Sequence, residues 1–221
     1  MVGGNKKLYI NNELLTELII PDSVTSIRAG AFKNCSSLTS VTIPDGVTSI
    51  GEYAFSCCSG LTSVTIPDSV TSIGEYAFSG CGNLKYNEYG NALYLGDKNN
   101  PYVALIKVKA DNITSCVINE NCKVISYSAF ENCSGLTSVT IGNGVTSIRA
   151  KAFGGCSGLT SITIPDSVTS IGSDAFIGCS GLEKIYYNGT MSQWNDIEKA
   201  YEWDSLTGNY TIHCTDGTIA K

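Results

Sequence analysis

Apolar and polar letters in this chain fall into one recurring phrase. In residues 38–60 the apolar places are Leu38, Val41, Ile43, Val47, Ile50, Ala54, Phe55 and Cys58, and the same places are apolar at 61–83. Leu15, Leu38 and Leu61 stand 23 residues apart, as do Ile113, Leu136, Leu159 and Leu182. Six units follow, at 15–37, 38–60, 61–83, 113–135, 136–158 and 159–181. All six phenylalanines share one slot: Phe32, Phe55, Phe78, Phe130, Phe153 and Phe176 each follow an Ala. Three residues later comes a cysteine each time, at Cys35, Cys58, Cys81, Cys133, Cys156 and Cys179. Identical slots at a fixed period predict identical side chains stacked along one axis, each coil covering the apolar edge of the next.

Inside a unit, Val41 and Ile43 alternate with Ser40 and Thr42, a period of two rich in β-branched residues that predicts a short half-buried strand. "PDS" or "PDG" then turns the chain: Pro fixes φ, and Asp bonds the backbone two residues on. "VTSI" is a second short extended piece, and "EYAF" predicts a single helical or 3₁₀ turn closed by the Gly or Asn near the Cys. The coil is too short to hold a full helix beside its strand.

Two stretches break the period. Residues 84–112 read as two strands, "NALYLG" and "YVALIKVK", joined by "DKNNP" into a protruding or edge-covering hairpin that holds Tyr86, Tyr89, Tyr94 and Tyr102. Exposed, such rings are interface anchors; turned inward, they cover the side of the coils. From residue 182 the tail carries both tryptophans, and "TMSQWNDIEKAY" predicts a helix with Trp194, Ile197 and Tyr201 on one face. The last coil of a stack exposes an apolar edge, and this aromatic tail is expected to cap it. The domain reading is therefore one repeat domain over 1–221: lead-in 1–14, three repeats 15–83, inserted hairpin 84–112, three repeats 113–181 and C-terminal cap 182–221.

Composition narrows the function. A formal charge of −6 and a pI near 4.7 argue against nucleic acid or an anionic membrane as partner, since both need clustered Lys and Arg. No run of 18 apolar residues occurs, so no membrane insertion is expected in this segment. The opening "MVGGNKKLYI" lacks the apolar stretch of a signal peptide, which fits either a cytosolic protein or a mature piece of an exported one.

Ten cysteines raise disulfide and zinc readings. The six-membered column is a core slot, Cys116 and Cys122 stand where other units have Val or Leu, and no Cys-x-x-Cys pair exists, so buried free thiols are expected. Cys57 and Cys214 are the expected reactive ones. Asp22, Asp45 and Asp68 share a slot, with Asp166 in the last unit; turn chemistry is preferred there over a Ca²⁺ column. The single histidine, His213, adjoins Cys214, and alternation in a strand sends the two side chains to opposite faces. With no phosphate loop or nucleophile elbow, no catalytic residue, metal ligand or cofactor is expected.

The register L-x-x-V-x-I-P-x-x-V-x-x-I-x-x-x-A-F-x-x-C, complete in Leu61, Val64, Ile66, Pro67, Val70, Ile73, Ala77, Phe78 and Cys81, resembles the BspA-like, or Treponema pallidum type, leucine-rich repeats. The resemblance covers 15–83 and 113–181; the unit at 113–135 departs from it, with "NEN" in place of "PDS". It implies an α/β-class leucine-rich-repeat solenoid, β-rich and right-handed, in a bacterial cell-surface or secreted protein that adheres to host or neighbouring-cell proteins. No catalytic residues come with it. The candidate binding residues are Ser40, Thr42, Ser63, Thr65, Ser138, Thr140, Ser161 and Thr163 on the outward strand face, and Tyr89, Tyr94 and Tyr102 in the hairpin. A structural spacer, and a glycan or small-ligand binder using exposed aromatics, are the alternatives.

Overall fold

The structure, a computed structural model, describes residues 6–10 and 12–221, so residues 1–5 and 11 of the expected lead-in lie outside the described residues. The two extended pieces expected in each repeat are present: Ser40–Thr42 and Ser49–Ile50 in one coil, Ser63–Thr65 and Ser72–Ile73 in the next. They pair with the same slot one period away and in parallel, Ser40 with Ser63, Val41 with Val64 and Thr42 with Thr65. Parallel pairing of neighbours 23 residues apart is the signature of a coiled stack, because a hairpin would make them antiparallel.

The chain divides into two compact units, one formed by the chain up to Asn87 with Leu95–Val103, the other by Glu88–Tyr94 with Ala104–Lys221. The first holds two three-stranded sheets: Glu17–Ile19, Ser40–Thr42 and Ser63–Thr65, and Ser26–Ile27, Ser49–Ile50 and Ser72–Ile73. In the second, Ser115–Val117, Ser138–Thr140, Ser161–Ile164, Lys184–Tyr187 and Thr211–Cys214 run parallel, and Gly217–Ala220 closes the edge antiparallel. Its other sheet orders Ala104–Val108, Val124–Ile125, Ser147–Ile148, Ser170–Ile171 and Glu198–Lys199 in parallel. Both units are β-rich coils of the predicted kind.

The phenylalanine slot becomes a ladder. Ring centroids of Phe32–Phe55 and Phe55–Phe78 are 5.3 and 5.5 Å apart, and those of Phe130–Phe153 and Phe153–Phe176 are 4.9 and 5.1 Å apart. All four pairs are near-parallel, a geometry that adds to the area buried by each ring. Trp203 ends the second ladder edge-on to Phe176 at 5.9 Å, and Trp194 and Tyr210 pack against Trp203.

The arc holding that slot is not the helical or 3₁₀ turn the sequence predicts. Its amide groups alternate between two jobs. Ala54, Ser56 and Cys58 N–H close local turns on Gly51, Tyr53 and Phe55 carbonyls, while Tyr53, Phe55 and Cys57 N–H reach the next coil at Glu75, Ala77 and Ser79. A helix would direct every amide inward along its own axis. Stacking takes alternate ones outward instead, which forces positive φ twice per coil. One slot reads Gly30, Tyr53, Tyr76, Ser128, Lys151 and Asp174, with φ between 53 and 63. The other reads Asn34, Cys57, Gly80, Asn132, Gly155 and Gly178, with φ between 59 and 76.

Residues 84–112 do not protrude. Ala92–Leu95 and Ala104–Val108 are neighbours in a sheet as predicted, yet Ala92, Tyr94, Ala104 and Leu105 are fully buried in the second unit. The link between them continues the first stack: Gly96 bridges Thr65, its carbonyl accepts Ile66 N–H at 3.2 Å, and Asn100 Nδ2 donates to Asp68 Oδ1 at 2.6 Å. In the tail, Thr190 caps the helix Met191–Asp196 through a reciprocal pair with Gln193. The helix is shorter than expected. Ile197 is already extended, so Tyr201 leaves the helical face and is 84% exposed, while Trp194 and Ile197 stay buried.

Two measurements check this account by urea unfolding. Phe153→Ala, which removes a fully buried ring stacked on both sides, lowers stability by about 3–5 kcal/mol, and half-buried Phe32→Ala by clearly less. In the positive-φ slots the signs oppose each other. Lys151→Gly (φ 55) raises stability by up to about 1 kcal/mol as backbone strain is relieved. Gly155→Ala (φ 72) lowers it, since its Cβ would also sit 2.6 Å from Asn132 Oδ1.

Candidate interaction surface

Strand alternation sends Val41, Val64, Val139 and Ile162 into the core and leaves their neighbours outside. Thr42, Ser63, Ser138 and Thr140 are exposed, and Ser40, Thr65, Ser161 and Thr163 are half-buried. The eight hydroxyl residues therefore lie on outward faces, in rows separated by the coil spacing of about 4.8 Å. Each unit presents its own face. In the first, Ile19 pairs with Thr42 and Thr42 with Thr65; in the second, Val117, Thr140, Thr163, Tyr186 and His213 form one continuous column. Each threonine column thus adjoins an exposed apolar side chain: Ile19 is 76% exposed, Val117 52% and Tyr186 41%.

A neighbouring hydroxyl slot has a different job. Thr39, Thr62, Thr137 and Thr160 Oγ1 donate to the Thr carbonyl of the preceding coil at 3.0–3.5 Å, alongside their own backbone N–H. Ser69 and Ser167 Oγ likewise donate to Val47 and Val145 carbonyls at 2.7 Å. The period-two pattern of the strands gives no role to this Thr slot. The repeat of Thr immediately before each strand was the signal that a second, structural ladder existed.

The first unit adds a groove of about 580 Å³ beside its face, lined by Asp22, Thr42, Ile43, Pro44, Asp45, Gly46, Thr65 and the link residues Asp97, Lys98 and Asn99. Asp22 and Asp45 are exposed there. Asp97 Oδ1 instead accepts Asn99 and Asn100 N–H at 2.7 and 2.8 Å, which shapes the loop over the groove. The aspartate slot is turn chemistry in geometry as well: Val24, Val47, Val70 and Val168 N–H close on Pro21, Pro44, Pro67 and Pro165 carbonyls. Among the described residues, no three His, Cys, Asp or Glu side chains converge on a metal position.

The tyrosines separate. Tyr94 is a correction to the candidate set. It is 0% exposed, its hydroxyl accepts Asn119 N–H at 3.3 Å, and it serves as core. Alternation from buried Ala92 carries it inward. Tyr89 is 41% exposed, while Tyr102 is half-buried. Burial pushes the Tyr86 phenol up to about 12.

All ten cysteines are free; eight are buried, Cys57 is exposed and Cys214 half-buried. Burial pushes Cys122 up to about 12, and Cys116 and Cys133 up to about 11. His213 stacks on Tyr186 with centroids 5.2 Å apart, on the outward side of a strand whose Ile212 is buried. Cys214 follows the opposite alternation, so no thiol–imidazole contact forms on this strand.

Stacked coils of one repeated length, with polar strand faces outward, define a leucine-rich repeat scaffold. The family model described as "BspA type Leucine rich repeat region" matches six copies, over residues 5–98 and 108–201, and the chain belongs to that family. Membership carries a protein-interaction repeat role. No curated protein matches the chain. Among solved structures, a leucine rich cell surface protein from Faecalibacterium prausnitzii A2-165 is 32% identical, with a TM-score of 0.39 over 83% of this chain and 62% of that one. The Treponema pallidum leucine rich repeat protein is 24% identical over 78% and 72%, TM-score 0.40. The pneumococcal vaccine antigen PcpA is 18% identical over 79% and 62%, TM-score 0.43. The chain thus spans 62% of the length of the first of these. Among the described residues no helix is long and apolar enough to cross a membrane.

The raised thiols make stability depend on alkali. An unfolded thiol titrates near 8.5, so unfolded chains lose protons at Cys116, Cys122 and Cys133 before folded ones do. The stability these thiols supply is complete below about pH 8.5 and falls as pH rises through about 11 to 12. Urea midpoints measured from pH 8 to pH 11 are expected to drop, and Cys122→Val, which restores the residue that Val145 supplies one coil on, should flatten that drop.

Proposed function

We propose that the chain is a non-catalytic adhesion module of a cell-surface or secreted bacterial protein, binding a protein of a host or neighbouring cell. The observation that carries this reading is the pair of outward strand faces, Ser40, Thr42, Ser63 and Thr65 in one unit and Ser138, Thr140, Ser161 and Thr163 in the other, each beside an exposed apolar residue. Short hydroxyl side chains lose little rotamer freedom when covered, so contact across them is entropically cheap. The apolar neighbours Ile19, Val117 and Tyr186 supply the area that hydroxyls lack. Tyr89 adds a further exposed ring in the second unit.

The non-catalytic part of the reading is supported by where the reactive letters sit. His213 is held in a ring stack, eight thiols are buried in the core, and the aspartates sit inside turns closed by Val N–H on Pro carbonyls. A glycan-binding reading has less support, because Tyr94 is inside and Tyr186 and His213 stack face to face, occupying a surface that a sugar would need.

Capture of host matrix and serum proteins by the immobilised chain tests the proposal. Thr42→Arg with Thr65→Arg, and separately Thr140→Arg with Thr163→Arg, place bulky cations on outward strand positions. At least one pair is expected to weaken capture roughly tenfold or more with an unchanged melting temperature. Undiminished capture by both pairs removes the strand faces from the proposal, and Tyr89→Ala then decides whether the 84–112 stretch carries the binding instead.

A further inference from the structure

The cysteine columns do more than fill space. Cys58 Sγ lies 3.1 Å from the Phe32 carbonyl of the preceding coil, and Cys81 Sγ lies 3.1 Å from that of Phe55. The second unit repeats the arrangement: Cys156 Sγ is 3.1 Å from Phe130 O and Cys179 Sγ 3.1 Å from Phe153 O. Each of these carbonyls also accepts the N–H of the cysteine in its own coil, at Cys35, Cys58, Cys133 and Cys156. One carbonyl therefore ties two coils together, and the second tie is an S–H donor. A thiol is a weak donor, so each bond is modest. Its place is unforgiving, because the four sulfurs belong to residues that are 0–5% exposed and sit beside the stacked Phe rings.

Replacing the S–H with anything larger has two consequences. The inter-coil donor is lost, and added atoms must enter a packed interior where even one extra methylene is felt. Cys57 offers the contrast within the same sequence, being next to Cys58 yet exposed, with its backbone at φ 59.

We propose that the two cysteine columns act as a redox latch: coils restack only while Cys58, Cys81, Cys156 and Cys179 keep their S–H, and thiol–disulfide exchange in a transiently opened coil holds that coil open. The exchange needs a small disulfide as oxidant, for which glutathione disulfide serves. The cysteine, as thiolate, attacks one sulfur of that disulfide, the S–S bond breaks, and one glutathione leaves as thiolate and takes up a proton. The protein sulfur is oxidised, one glutathione is reduced, and a tripeptide remains attached where a buried sulfur had been. This latch is independent of whichever partner the strand faces bind. It makes the folded state of the chain conditional on a reducing surrounding.

The full chain carrying Cys57→Ser and Cys214→Ser, so that only buried thiols remain, is held with millimolar glutathione disulfide in urea that unfolds about one chain in ten. Peptide mass mapping locates the mixed disulfides, and circular dichroism follows refolding after the urea is diluted. Chains modified at any of the four positions are expected to stay unfolded after dilution, with a folded fraction at least tenfold below untreated chains, and dithiothreitol is expected to restore them. Modified chains that regain the native spectrum and urea midpoint overturn the latch. So does reaction of the four thiols without urea at the rate of an unstructured thiol peptide. The unsubstituted chain supplies a second measurement: modification confined to Cys57 leaves the native spectrum in place, and loss of the spectrum on that modification alone also overturns the proposal.

Discussion

The structure depends on where alternate amides of the Phe-bearing arc find a carbonyl. Tyr53, Phe55 and Cys57 N–H each reach the next coil, while the residues between them close turns within their own. Phe55 is fully buried, and a buried backbone donor left without a partner loses about as much free energy as a hydrogen bond supplies, so a lone coil cannot satisfy this arc. The next coil is then an obligatory partner rather than an optional one. The same constraint explains why bulky residues such as Tyr53 and Tyr76 hold positive φ, a conformation that ordinarily costs about 1–2 kcal/mol for an L-residue. The inter-coil bond and the ring stack of Phe55 offset that strain together.

What the sequence shows of this fold follows from which physical signals are periodic. Val41 and Ile43 alternate with polar neighbours, and Phe55 and Cys58 recur in register, so strands, core and stacking axis are all legible without coordinates. The arc misleads because "EYAF" carries helix-compatible letters and backbone conformation leaves no mark on them. The recurring Asn or Gly before each Cys, at Asn34, Gly80, Asn132, Gly155 and Gly178, was the one available trace of positive φ, and Cys57 masks it in the second coil. The short helix was legible in its cap, Thr190 with Gln193, but not in its end, since Ile197 turns extended to bring Glu198–Lys199 into the sheet.

The candidate surface divides in the same way. Outward hydroxyls follow from period-two alternation, and their neighbours Thr39 and Thr62 could be told apart only by their bonds to the preceding coil. Tyr94 reads as an exposed anchor while the 84–112 stretch is imagined as a free hairpin. Once Ala104–Val108 pairs with Val124–Ile125, alternation carries the ring from the adjoining strand Ala92–Leu95 inward. The groove was invisible for a related reason. It needs Asp97, Lys98 and Asn99 beside Asp22 and Asp45, and no period links those positions.

A stack of identical coils offers a partner the same contact at every step, so it cannot by itself fix where the partner sits. A ligand reading only Ser40–Thr42 would gain as much by sliding one coil onto Ser63–Thr65. Register must therefore come from positions that break the repeat. In the first unit those are Glu17 and Ile19 at one end of the face and the Asp97–Asn99 loop beside Thr65. In the second they are Val117 at one end and Lys184, Tyr186 and His213 at the other. In the adhesion role proposed for these faces, the uniform rows would supply area, while these irregular side chains would break the degeneracy. On that proposal, the choice of partner falls to the breaks and the strength of binding to the rows, a division that follows from the regularity of the repeat.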